Sequence, residues 1–172
     1  GVWGDPCIVV DTLGNFYYFH LSNPPVGSWI DRIVCQRTDN NGLTWNDGAG
    51  IGLNGTKAQD KEWVVLDAAT NTLMVTWTQF DSYGSAASSD SSLILFSKSS
   101  DLGLTWTEPV RLNEKAGDCI DSDNTVEGAV PAIGPEGQIY VAWAGPDGLV
   151  FDKSTDGGQT WKALDVENGF PF

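Results

Sequence analysis

Three eight-residue segments that end in Thr-Trp constrain this chain more than any other feature. They are Thr38-Asp39-Asn40-Asn41-Gly42-Leu43-Thr44-Trp45, Ser99-Ser100-Asp101-Leu102-Gly103-Leu104-Thr105-Trp106 and Ser154-Thr155-Asp156-Gly157-Gly158-Gln159-Thr160-Trp161. Their tryptophans are spaced by 61 and 55 residues, too long for one hairpin and right for a four-stranded unit. An apolar run stands just before each copy: Ile33-Val34-Cys35, Ile94-Leu95-Phe96 and Leu149-Val150-Phe151. A basic residue, Arg37, Lys98 or Lys153, sits eight before each Trp.

Farther upstream every copy reads as a hairpin. The first pairs residues 7–11 with 16–21 through a Gly14-Asn15 turn. The second pairs 63–67 with 73–78 around Asn71. The third pairs 130–134 with 139–144 through Glu136-Gly137. Aligned from these turns, His20, Trp77 and Trp143 are equivalent, so the lone His replaces a repeat aromatic and its expected role is packing. Each unit is strand, turn, strand, loop, strand, tight turn, strand. The apolar runs are short, rich in β-branched and aromatic residues, and bounded by Gly, Pro, Asn and Asp, with no helical periodicity of useful length. Four antiparallel strands at this period describe the blade of a β-propeller. A β-sandwich is the main rival, but it supplies no reason for a tripled motif.

The motif has a mechanical explanation. The Asp side chain accepts hydrogen bonds from backbone N–H groups across a tight turn. Gly42, Gly103 and Gly158 fill a position that needs positive φ. The Thr hydroxyl bonds within the turn, and the Trp buries its ring between strands. In the first copy Asn40 replaces the Asp of the others, and an Asn still caps such a turn.

Ser-x-Asp-x-Gly-x-Thr-Trp resembles the Asp box (BNR repeat) of the sialidase superfamily. Two copies match fully, and the first departs at Asn40. The resemblance implies an all-β, sialidase-type propeller of four-stranded antiparallel blades, with about half of a six-bladed ring in this chain. The blades fall at 5–53, 60–113 and 126–166, and residues 168–172 (Asn168-Gly169-Phe170-Pro171-Phe172) open a further one. Six blades at this spacing need on the order of 350 residues. A three-blade arc leaves two open apolar flanks. Either a second copy or further blades of the same propeller complete the ring, and a segment of a longer protein is the favoured reading.

Composition narrows the partners. The 172 residues carry 23 acids against 9 bases, a net charge of −14. Such a surface repels nucleic acid and anionic membranes. No stretch is long and apolar enough to span a membrane, so no insertion is expected. Cys7, Cys35 and Cys119 are an odd number and match no zinc spacing.

Propeller sites gather at the mouth of the central channel, where innermost strands begin. Those starts hold Asp5, then Asp60 and Glu62, then Glu127. They are solvated loop acids or a carboxylate-lined pocket suited to sugar hydroxyls, a metal or acid–base chemistry. Asp118, Asp121 and Asp123 form a second candidate, an oxygen-rich stretch for Ca²⁺ whose alternative is a polar inter-blade loop. Residues 82–92 form a Ser-rich loop, a surface connection or a lid on the rim. Asn54-Gly55-Thr56 fits an N-glycosylation site.

The resemblance also implies what a sialidase would require: three arginines for the substrate carboxylate, a Tyr nucleophile paired with a Glu, and an Asp as acid/base. The chain has only Arg32, Arg37 and Arg111, and none opens an inner strand. No catalytic residue carries over by position. The leading expectation is an extracellular or cell-surface module that binds glycan or a surface protein without catalysis. The alternative is a fragment of an exo-α-sialidase or related glycoside hydrolase whose arginines lie partly elsewhere. A purely structural or adhesion segment is the third reading.

Overall fold

A computed structural model describes residues 2–163. The end of the third unit, 164–166, and the opening of a further one at 168–172 lie outside them. Within the described residues the chain is all-β, with twelve strands in three four-stranded antiparallel meanders. The first is β1 (Cys7–Val10), β2 (Phe16–Ser22), β3 (Arg32–Thr38) and β4 (Ala49–Ile51). The second is β5 (Ala58–Asp67), β6 (Thr72–Phe80), β7 (Ser92–Ser99) and β8 (Val110–Arg111). The third is β9 (Glu127–Ile133), β10 (Ile139–Gly145), β11 (Gly148–Ser154) and β12 (Lys162–Ala163). Among the described residues no helix is long and apolar enough to cross a membrane.

Register shows the three sheets to be one design. The first residue of each Thr-Trp segment pairs with the same point of the second strand: Thr38 with Phe16, Ser99 with Leu73, Ser154 with Ile139. Four residues on, His20, Trp77 and Trp143 face Val34, Leu95 and Val150, and all three rings are buried. The equivalence of His20 with two tryptophans therefore holds in space, and its Nδ1 lies 3.0 Å from the Leu21 carbonyl.

The tight turns are built as the motif demands. Asp101 Oδ1 accepts from the Thr105 N–H at 2.9 Å and the Ser99 hydroxyl at 2.8 Å, while Asp101 Oδ2 accepts from the Thr105 hydroxyl at 2.5 Å. Asp156 repeats the set with Thr160 and Ser154 at the same three distances. In the first turn Asn40 Oδ1 accepts from the Thr44 N–H at 3.0 Å, while Asn40 Nδ2 donates to the Thr44 hydroxyl at 2.7 Å. The amide reverses one hydrogen bond and the turn survives. Donation from Thr105 and its neighbours holds the Asp101 carboxyl down at about 2, and donation headed by Thr160 depresses Asp156 as well.

Burial lies between sheets rather than within them. One core joins Tyr17, Phe19 and Leu21 of β2 to Val64, Leu73 and Trp77 of the second sheet. The other joins Ile94 and Phe96 of β7 to Ala129, Ile139 and Val141 of the third. The motif tryptophans correct an expectation here. Trp106 and Trp161 do not bury between the strands of their own unit but reach back to the preceding sheet. Trp106 stands edge-on to Phe19 at 5.8 Å, and Trp161 edge-on to Phe96 at 5.0 Å, each partly exposed. Trp45 meets only Tyr18 of its own sheet among the described aromatic rings and is 40% exposed. The motif glycines seal the same joint. A Cβ on Gly103 would stand 2.8 Å from Cys35 Sγ, and one on Gly158 2.4 Å from a Phe96 ring carbon. Lys98 Nζ completes it by donating to the Gly157 carbonyl at 2.7 Å.

Candidate functional site at the inner-strand starts

The strand register places Asp5, Lys61 and Gly128 at equivalent points just before the inner strands straighten. All three have left-handed backbones, with φ of 57°, 52° and 70°. In the second and third sheets this point lies within a β-bulge, between Asp60 and Trp63 and opposite Ala142–Ala144. A bulge adds a residue and re-aims the side chains around it. Non-glycine residues in this conformation cost on the order of 1 kcal/mol and cluster at functional sites. The expected second strand started at residue 63; it starts at Ala58, because Ala58, Gln59 and Asp60 pair with β6 before the bulge.

This geometry brings the four sequence-predicted rim acids together. Asp60 and Glu127 occupy the same register position in neighbouring sheets, and Lys61 Nζ bridges to Glu127 Oε2 at 2.8 Å. Burial, then the charges of Asp5 and Glu127, push the Asp60 carboxyl up. Glu62 falls where the third sheet has the buried Ala129. It is only 2% exposed, neither carboxyl oxygen has a hydrogen-bond partner, and burial raises it to about 8. At neutral pH Glu62 therefore holds its proton, and Asp5 and Asp60 reinforce that. A cavity of about 300 Å³ adjoins these residues, walled by Asp5, Cys7, Glu62, Trp63 and Val130.

A second, larger recess of about 420 Å³ is lined by Asp60. Its walls include Trp3 and Tyr83, which sequence reasoning did not single out as site residues. Tyr83 belongs to the Ser-rich loop at 82–92. That loop is pinned to the oxygen-rich loop: Gly84 N–H donates to the Cys119 carbonyl at 2.7 Å, and the Tyr83 hydroxyl to Asp121 Oδ2 at 3.3 Å. The only sequence signal was an aromatic residue inside a polar, Ser-rich connection.

Asp118, Asp121 and Asp123, the candidate Ca²⁺ residues, do not converge on one point. Asp118 accepts from the Thr125 hydroxyl at 2.6 Å and the Ser122 hydroxyl at 2.8 Å, so its oxygens close its own loop. Asp121 turns to Tyr83. Among the described residues no three His, Cys, Asp or Glu side chains converge to hold a metal ion. Two of the three arginines, Arg32 and Arg111, are engaged with near neighbours. Arg32 grips Asp31 through two bonds of 2.7 and 2.6 Å, and Arg111 donates to the Asn113 and Glu114 carbonyls. Cys7, Cys35 and Cys119 are free thiols.

This fold is similar to that of solved sialidases. The chain superposes on the Hadza microbial sialidase Hz136 with a TM-score of 0.65, covering 92% of this chain and 36% of that one at 17% identity. The NanB sialidase from Streptococcus pneumoniae gives 0.64 at 10% identity, with 92% and 43% covered. The Trypanosoma rangeli sialidase gives 0.62 at 17%, with 92% and 30% covered. The fold is a segment of a sialidase-type β-propeller. The chain spans less than half the length of each of these three proteins, and at these identities the likeness is one of fold alone. No family model matches the sequence, and no curated protein sequence matches it.

Proposed function

We propose that this chain is a run of three Asp-box blades, over 5–53, 60–113 and 126–166, in the propeller of a larger extracellular or cell-surface protein. Its role is to bind glycan or a surface protein at the channel mouth without catalysis. The gathering of Asp5, Asp60, Glu62 and Glu127 at the starts of three adjacent inner strands carries this reading. A rim of carboxyl groups beside cavities of a few hundred Å³ suits hydroxyl-rich ligands, which accept and donate at once. The engagement of Arg32 with Asp31 and of Arg111 with the Asn113 and Glu114 carbonyls favours binding over sialoside hydrolysis. Immobilised-glycan screening tests it: at least one glycan is retained by the chain, and Asp60→Asn weakens retention. Silence across the panel removes the glycan reading and leaves a protein ligand.

The likeness of fold to sialidases supports a second reading, in which further blades supply the arginine triad of a glycoside hydrolase. Turnover of a fluorogenic sialoside by protein carrying those blades, abolished by Asp60→Asn or Glu127→Gln, would establish it.

A further inference from the structure

We propose that the recess between the first two sheets seats a single pyranose ring of a non-anionic glycan, with Trp3 and Tyr83 as its stacking surfaces and Asp60 as its polar anchor. The inference rests on the glycan-binding reading above and gives it a location and a ligand class.

A pyranose presents apolar C–H faces and a hydroxyl-rich edge. A site for it needs an aromatic face held still and a hydrogen-bonding group beside it. Trp3 is 48% exposed and Tyr83 55%, so both rings present surface to solvent. Neither ring is loose. The Trp3 backbone N–H donates to the Leu21 carbonyl at 2.9 Å, and its indole N–H to Asn23 Oδ1 at 3.1 Å. Tyr83 stands edge-on to the buried Phe80 at 5.1 Å, above a small core of Ala58, Phe80 and Cys119. Two loops that look unrelated in the sequence, 82–92 and the stretch around Asp121, are thereby stapled together to hold one ring in place.

The recess of about 420 Å³ has room for one sugar ring. Asp60 reaches it from the bulge, and the hydroxyl residues Ser28, Thr56 and Ser82 line it. Charge sets the class. Asp5 and Glu127 act on Asp60, and the chain carries −14 overall, so a sugar with a carboxylate or sulfate is repelled. Neutral and amine-bearing rings remain.

The test uses the full chain and four soluble probes: lactose, chitobiose, mannobiose and 3′-sialyllactose, titrated by calorimetry with tryptophan fluorescence in parallel. The expected result is binding of at least one neutral probe, more weakly matched by 3′-sialyllactose. Trp3→Ala and Tyr83→Ala each weaken it about tenfold or more. Both aromatic positions are exposed, and circular dichroism checks that the variants fold. Binding that survives both aromatic substitutions but falls with Glu127→Gln overturns the recess and leaves glycan binding at the channel mouth. Tighter binding of 3′-sialyllactose than of lactose overturns the ligand class. Absence of binding by all four probes at millimolar concentration overturns the proposal, while the wider glycan screen still decides the broader reading.

Discussion

Gly158 lies on Phe96. No side chain fits between them, since a Cβ on Gly158 would stand 2.4 Å from a carbon of a ring that is itself buried. The same relation joins Gly103 to Cys35 one sheet earlier, at 2.8 Å from Sγ. The motif glycine thus answers two demands, a left-handed turn and the closest approach of two sheets.

The two demands separate by substitution. Gly42 has φ of +81° like its counterparts but nothing nearer than 3.9 Å to a built Cβ. Gly42→Ala is expected to cost about 1 kcal/mol for the backbone alone. Gly158→Ala adds overpacking against Phe96, for a total of about 2–4 kcal/mol. Urea unfolding of both variants decides it, and equal losses would refute the contact as the second cause.

The tryptophans rank the same way. Trp161→Ala and Trp106→Ala remove rings from a joint between sheets and are expected to cost about 2–4 kcal/mol. Trp45→Ala, at a ring 40% exposed, should cost about 1 kcal/mol or less. Thermal midpoints of the three variants give the order, and Trp45→Ala as the most damaging would contradict it.

Acid should weaken the turns. The folded carboxyls of Asp101, at about 2, and Asp156 lie below their ordinary values, so their contribution is complete above about pH 4. It fades as pH falls from there toward 2. Asp101→Asn copies the first turn, where Asn40 already serves. It should keep most of the stability that Asp101→Ala loses, and should flatten the acid limb. A stability profile between pH 2 and 5 that is unchanged by Asp101→Asn would count against the assignment.

Glu62 has the opposite sign. Its folded carboxyl is raised to about 8 by burial, so ionisation opposes folding. The protein is expected to lose stability from this residue progressively as pH rises from about 4.5 to 8, with no further loss above. Glu62→Gln should remove that slope and stabilise the chain at pH 8 by on the order of 2 kcal/mol. Denaturant unfolding at pH 5 and pH 8 checks it. A Gln variant less stable at both would mean the acid is needed where it stands.

Thiol chemistry gives a third readout of burial. Cys35 is buried and its thiol is pushed up to about 12, while Cys7 is only half-buried. An aromatic disulfide reagent should titrate Cys7 first in the native protein, and Cys35 and Cys119 only on unfolding. Fast native labelling at Cys35 would show that the joint under Gly103 opens.

Strands, turns and repeat were legible because they are local. Alternating apolar runs, Gly14, Asn71 and Gly137 at turns, and the Thr-Trp segments each act within a few residues, and the observed register follows them. The start of β5 at Ala58 was not legible, because Ala58 and Asp60 are poor strand formers and pair only with β6 in place. The acids at the inner-strand starts were readable as a set. Their inequality was not: Glu62 looks like its neighbours in sequence but takes the buried place of Ala129. Trp3 and Tyr83 come from segments some eighty residues apart and meet only when two sheets dock. That the Asp118 carboxyl accepts from the Ser122 and Thr125 hydroxyls was not legible either. Short-range chemistry thus wrote the blades into the sequence. The joints between blades, and the recess that forms at one of them, depend on which surfaces exclude water from each other, and that is decided only in three dimensions.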